Sequence, residues 1–215
     1  KSEEYIPLPE GYANAIKGET VAWILPGTTK PEQPWPLVYK DGQTTPATGE
    51  SSNGTVINAY AWKDILVVCI FVPKDDKNVV IPYYEYVRVR DGQKSIIFKT
   101  TDSMNYNAAY SQNHCTFGSK TMITDINIET LEKKETNLVK LSDGYLSYLP
   151  WHDGYLCRLK GSVGFVQNGK TVRTFKGSYV HHNDNNLWTS YNPGTTEVDD
   201  EGNTYTYTEL VKYEA

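Results

Sequence analysis

The sequence has no run rich in lysine or arginine, no apolar stretch of membrane-spanning length, and little histidine, cysteine or methionine. Its 215 residues carry 21 Lys and Arg against 26 Asp and Glu, a net charge of -5. That balance leaves no electrostatic footprint for nucleic acid. No apolar run approaches the roughly 18 residues of a transmembrane helix. The three cysteines, Cys69, Cys115 and Cys157, form no CxxC pair. Cys69 lies inside the apolar run 65–72 and reads as a small buried hydrophobe, so Cys115 with Cys157 is the expected pair if one disulfide forms. GxSxG, HExxH and a Gly-rich phosphate loop are all missing. With four histidines in the whole chain, the expectation is a protein that is not an enzyme and carries no metal or cofactor. The chain begins at Lys1 without a signal peptide, as a processed chain would, and the expected location is secreted or cell-surface.

What the sequence does have is tyrosine, 17 against five Phe and five Trp. Tyrosine suits surfaces where one end of the ring stays wet. Apolar runs of four to eight residues recur between Gly, Pro, Asp and Asn, the punctuation of an all-β chain. Expected strands cover 21–25, 56–60, 65–72, 84–90, 95–98, 155–159, 163–167, 171–176 and 204–211. Asp91-Gly92 and Asn168-Gly169 each join two such runs, and both dipeptides tolerate the positive φ of a type I′ hairpin turn. Residues 127–139 space Ile128, Leu131 and Glu135 at helical intervals and predict a short amphipathic helix, with an exposed strand pair as the other reading. Residues 101–110 are a second helix candidate. No internal repeat is visible.

These signals predict a single antiparallel β-sandwich over residues 1–215 with one or two short helices. Residues 1–36 read as an extended Pro- and Gly-rich lead-in. Residues 194–215 hold six acids and one base, Lys212, so the whole net charge of -5 sits there, and they read as a solvated turn and edge strand. The acids Glu197, Asp199, Asp200 and Glu201 lack the spaced ligands of a calcium loop.

The middle of the chain resembles the actinoporin-like superfamily of anemone pore-forming cytolysins and fungal fruit-body lectins. Leu37-Val38-Tyr39 stands where those cytolysins have an aliphatic pair and Tyr, and Phe71-Val72-Pro73 stands at their Ser-Val-Pro. Tyr83-Tyr84-Glu85-Tyr86-Val87-Arg88-Val89-Arg90-Asp91-Gly92 resembles their aromatic loop and following hairpin strand. Tyr106 and Tyr110 sit where the family has a Tyr-bearing helix. The resemblance spans roughly residues 37–110 and implies a β-sandwich that binds a lipid head group or glycan. Pro7, Pro9, Gly11 and Gly18 do not suit the family's amphipathic pore-forming helix, so binding without an evident pore is what it implies here.

Candidate sites follow from the aromatics. Tyr83, Tyr84, Tyr86, Tyr106 and Tyr110, with Pro73, are the expected ligand-binding set, since convergent Tyr rings can surround a choline or line a membrane interface. The competing reading is that Tyr84 and Tyr86 simply stack along a strand. Tyr148, Trp151, Asp153 and Tyr155 form a second, glycan-type candidate, with rings for a sugar face and a carboxylate for its hydroxyls. Trp35 between two prolines is either a stacking platform or a plug. His181 and His182 would point to opposite faces of a strand and cannot share a metal without a turn. The expected function is a lectin-like or lipid-binding surface protein. The alternative is an adhesin or capsid-type component that uses the Tyr-rich surface as a homo-oligomer interface.

Overall fold

The computed structural model describes residues 5–27, 36–73, 81–101, 107–139 and 147–215. Its chain divides into two compact units, residues 1–104 with 126–132, and residues 105–125 with 133–215.

The first unit is built on β7 (Ile65–Val72), whose eight apolar residues pair on one side with β6 (Thr55–Trp62) and on the other with β8 (Tyr83–Arg90). A continuous apolar run is what a strand covered on both faces requires. β9 (Gln93–Thr100) and the two-residue β5 (Thr48–Gly49) complete the order β5-β9-β8-β7-β6, with β5 parallel to β9. A second sheet runs β1 (Tyr12–Lys17), β2 (Ala22–Pro26), β3 (Leu37–Lys40), β4 (Gln43–Pro46). The two pack through Trp23, Leu25, Val38, Leu66, Val68, Ile70 and Val89. Burying each such aliphatic side chain contributes about 1.5–3 kcal/mol.

In the second unit, β10 (Asn107–Ser111), β11 (His114–Gly118), β12 (Met122–Asn127) and β13 (Lys133–Asn137) form one sheet. β14 (Tyr148–Trp151), β15 (Gly154–Leu159), β16 (Ser162–Gln167) and β17 (Lys170–Lys176) form the next. β18 (Ser178–His182), β19 (Asn186–Tyr191) and β22 (Glu209–Glu214) form a third, with the separate hairpin of β20 (Thr196–Val198) and β21 (Thr204–Thr206) inserted before β22. The middle sheet has a core on each face. Tyr148, Tyr155, Cys157 and Val166 pack with Ile123 of β12, whereas Leu149, Trp151, Leu156, Val163 and Phe175 pack with Leu187 of β19. That split follows the two-residue period of a strand.

The all-β antiparallel class is as expected, in face-to-face packed sheets. Neither expected helix forms among the described residues. In place of the helix at 127–139, the Asn127 side chain accepts from the backbone N–H groups of Glu129 and Thr130. An Asn so placed favours a turn over a helix, and the chain reverses there into β13. At the other candidate, residues 107–111 are strand β10 and 102–106 lie outside the described residues. The turn at 126–132 belongs with the first unit, where Arg88 and Arg90 donate to the carbonyls of Ile128 and Glu129 at 2.9–3.1 Å. Both expected hairpins are present, with φ of 50° and 72° at Asp91 and Gly92 and 49° and 77° at Asn168 and Gly169.

A repeat that the sequence hides is evident in the topology. Four successive groups of four strands are each an up-and-down meander, the unit that propeller folds repeat. The loops between strands differ in length and share no motif, which is why no period shows in the residues.

Candidate functional site

Three hairpin turns of the second unit, one from each of its three larger sheets, line a cleft of about 550 Å³. They are the β10/β11 turn at Gln112 and Asn113, the β14/β15 turn at His152 and Asp153, and the β18/β19 turn from Asn183 to Asn185. Gln112 and His152 both take positive φ, 49° and 50°, the conformation that closes a two-residue hairpin. The third turn is held by the Asn183 side chain, which accepts from the N–H groups of Asn185 and Asn186. Trp151 Nε1 donates to the Asn183 carbonyl at 2.8 Å and ties the second turn to the third.

All four histidines of the chain, His114, His152, His181 and His182, line this cleft. Each is held differently. His114 Nδ1 lies 2.9 Å from Asp125 Oδ1, and the second carboxylate oxygen of Asp125 accepts from the Tyr155 hydroxyl at 3.0 Å. The hydrogen bond to this buried carboxylate pushes the His114 pKa up. His182 Nδ1 is 2.8 Å from the Tyr179 hydroxyl, and its ring also bonds the Pro150 carbonyl. Burial first, and then the neighbouring His181, pulls its pKa down. A neutral imidazole has one N–H, so that hydrogen points at Pro150 and the Tyr179 hydroxyl donates to Nδ1. His152 stands edge-on to Trp151 with ring centroids 4.6 Å apart, and His181 stacks on Trp188 at 5.4 Å. Among the described residues no three His, Cys, Asp or Glu side chains are placed to hold a metal ion.

Of the expected ligand-binding residues, Tyr110 lines the cleft. Tyr106 lies outside the described residues, as does Trp35. Tyr83, Tyr84 and Tyr86 belong to the other unit, and they lie on strand β8 instead of in a loop. Because β8 is an interior strand, their rings are used by the fold. The Tyr83 hydroxyl meets Ser52 Oγ at 2.9 Å, and Lys99 Nζ sits 5.4 Å from its ring centroid. Ser52 also donates twice to the buried Glu85, so the pair anchors the segment before β6. Tyr84 tilts against Phe71 at 5.3 Å, and Tyr86 is buried, meeting Phe98 edge-on at 6.3 Å. Stacking along a strand therefore describes this cluster, and Pro73 is exposed just past the end of β7.

The second candidate set is likewise split by strand alternation. Tyr148 and Tyr155 are buried between sheets and offer no face to solvent. Trp151 faces the opposite core and contributes to the cleft wall, and Asp153 at the turn accepts from Gln167 Nε2 at 2.5 Å. Cys115 and Cys157 are buried free thiols, not a disulfide, and Cys69 is the buried small hydrophobe expected of it. Burial pushes both the Cys69 and Cys157 thiols up to about 11. His181 and His182 end β18 at a bulge, so both reach the cleft despite being adjacent. Sequence reasoning missed His114 and Asp125. Each occurs in or beside a short polar turn, and only the meander topology brings those turns to one end of their sheets.

No family model matches the chain, and no curated protein does. Among solved structures, the chain is similar to one from a structural study of two prolyl endopeptidases, at 12% identity and a TM-score of 0.51. The match covers 95% of this chain and 36% of that one. At this identity the likeness concerns the fold alone, and the chain spans little more than a third of that protein.

Proposed function

We propose that the protein is a binding protein for a saccharide, received in the cleft formed by the β10/β11, β14/β15 and β18/β19 turns. The observation that carries this reading is the convergence of four imidazoles with Tyr110, Asn183 and Asp184 on one concave surface. Such a wall offers donors and acceptors in several directions with some aromatic edge, which suits a hydroxyl-rich ring better than an acyl chain. A lipid-binding aromatic loop at Tyr83 to Tyr86 has less support, because those rings are engaged within their own sheet. The pair Tyr110→Ala with His181→Ala tests the proposal on a glycan array. Binding should fall at least tenfold with the thermal midpoint unchanged. If Tyr83→Ala with Tyr84→Ala abolishes binding and the cleft variant does not, the site lies on β8.

A further inference from the structure

We propose that the saccharide is an acidic one, bearing a carboxylate, and that His114 receives its acid group; this rests on the reading of the cleft as a saccharide site. Among the described residues no lysine or arginine lines the cleft, so imidazole is the cationic side chain its wall offers. Of the four imidazoles, His182 has both ring nitrogens committed, to the Tyr179 hydroxyl and the Pro150 carbonyl. His114 is wired the other way. Its Nδ1 is fixed by Asp125, itself fixed by Tyr155, so the ring orientation and the site of the first proton are set. Its Nε2 has no partner among the described residues, and the half-buried ring lies in the cleft wall.

When His114 is neutral, Nε2 is a bare acceptor and repels a carboxylate. When it is protonated, Nε2–H is a charge-assisted donor aimed at the ligand. Asp125 favours the second state, and the proton it helps to hold is balanced behind the ring by its own buried charge. The other ionisable side chains of the cleft wall are His152, His181, His182, Asp184, Tyr110 and Tyr179, with Arg158 5.5 Å from the Tyr179 ring centroid. A sugar carboxylate ionises near pH 4, as ordinary carboxylates do. Binding therefore has a window bounded below by ligand protonation and above by loss of the His114 proton. Above that upper bound a single linked proton lowers affinity by up to about tenfold per pH unit.

Titration calorimetry with a uronate trisaccharide and a neutral hexose trisaccharide, from pH 5 to 8.5, tests this. The wild type should bind the uronate sugar at least tenfold more tightly at pH 5.5 than at pH 8, while the neutral sugar shows no such slope. His114→Gln, which keeps a donor that does not titrate, should flatten the slope. Asp125→Asn, with folding checked by circular dichroism, should move the falling limb to lower pH. Neutral sugar bound as well as uronate sugar, at every pH, overturns the acidic-ligand inference and leaves the saccharide reading standing. No binding of either sugar overturns both. A pH slope that survives in His114→Gln overturns the assignment to His114.

Discussion

The carboxylate of Asp125 accepts from two directions, from His114 on the neighbouring strand at 2.9 Å and from Tyr155 of the next sheet at 3.0 Å. Burial first, and then the Asp125 carboxylate, raises the Tyr155 pKa, and the same carboxylate stabilises the His114 imidazolium. Asp125→Asn should therefore drop the His114 pKa towards or below the ordinary 6.5, as followed by proton NMR of the ring C–H signals. The two shifted histidines also act oppositely on stability. His114, with its pKa raised in the folded state, stabilises fully below the ordinary imidazole pKa, and that contribution is lost as pH rises through the raised value. His182, with its pKa depressed, contributes above the ordinary value, and this is lost as pH falls towards the depressed one. Denaturant unfolding across pH 5–8 should thus show His182→Gln losing less stability than the wild type on acidification. His114→Gln should lose less than the wild type as pH rises. Parallel curves for all three would contradict both assignments.

The hairpins show how far the sequence carries an element. Asp91-Gly92 and Asn168-Gly169 were legible because their side chains tolerate positive φ. Three turns that expose a site or a tight corner use Lys63, Gln112 and His152 in the same conformation, which composition does not announce. The apolar run of β7 was legible as buried, whereas the helical spacing of Ile128, Leu131 and Glu135 misled. A polar capping residue, Asn127, stops the chain there, and β13 uses Lys133 to Asn137 as a charged, exposed edge. Glycine offers a paired test at this scale. Gly169 has φ 77° and the Asn137 carbonyl occupies the space a Cβ would take, while Gly42 has φ 76° and open space. Gly42→Ala should cost only the left-handed penalty of about 1–2 kcal/mol. Gly169→Ala should cost clearly more in denaturant unfolding, because the β13 end must also move. Truncating Trp151 should cost about 3–5 kcal/mol, the range for a large core aromatic, and release the β18/β19 turn that its Nε1 holds.

At the scale of the whole molecule, fold class was readable and the site was not. Strand-length apolar runs and turn dipeptides specify an antiparallel all-β chain through local rules alone. The gathering of three turns depends on contacts between residues 30 or more apart, such as Trp151 with Asn183, and no local pattern encodes it. The charge followed its sequence address, with the acidic 194–215 segment forming the β20/β21 hairpin and the outer strand β22. There the Asn203 side-chain amide first, then the Asn203 backbone N–H, the Tyr205 hydroxyl and the Glu201 N–H donate to Asp199 and hold its pKa low at about 2. Tyrosine did not follow, since several of its rings serve the spaces between strands and sheets. Tyr39, Tyr86, Tyr148 and Tyr155 are buried, and the scarce residue, histidine, marks the surface with the richest chemistry.

The most direct test of that surface is the response of the four histidine ring C–H resonances to a uronate oligosaccharide added at pH 5.5. Shifts at His114, His152 and His181, with the β8 tyrosine signals unmoved, are predicted. Perturbation of Tyr83 and Tyr84 with all four histidines unmoved would contradict the cleft as the binding site.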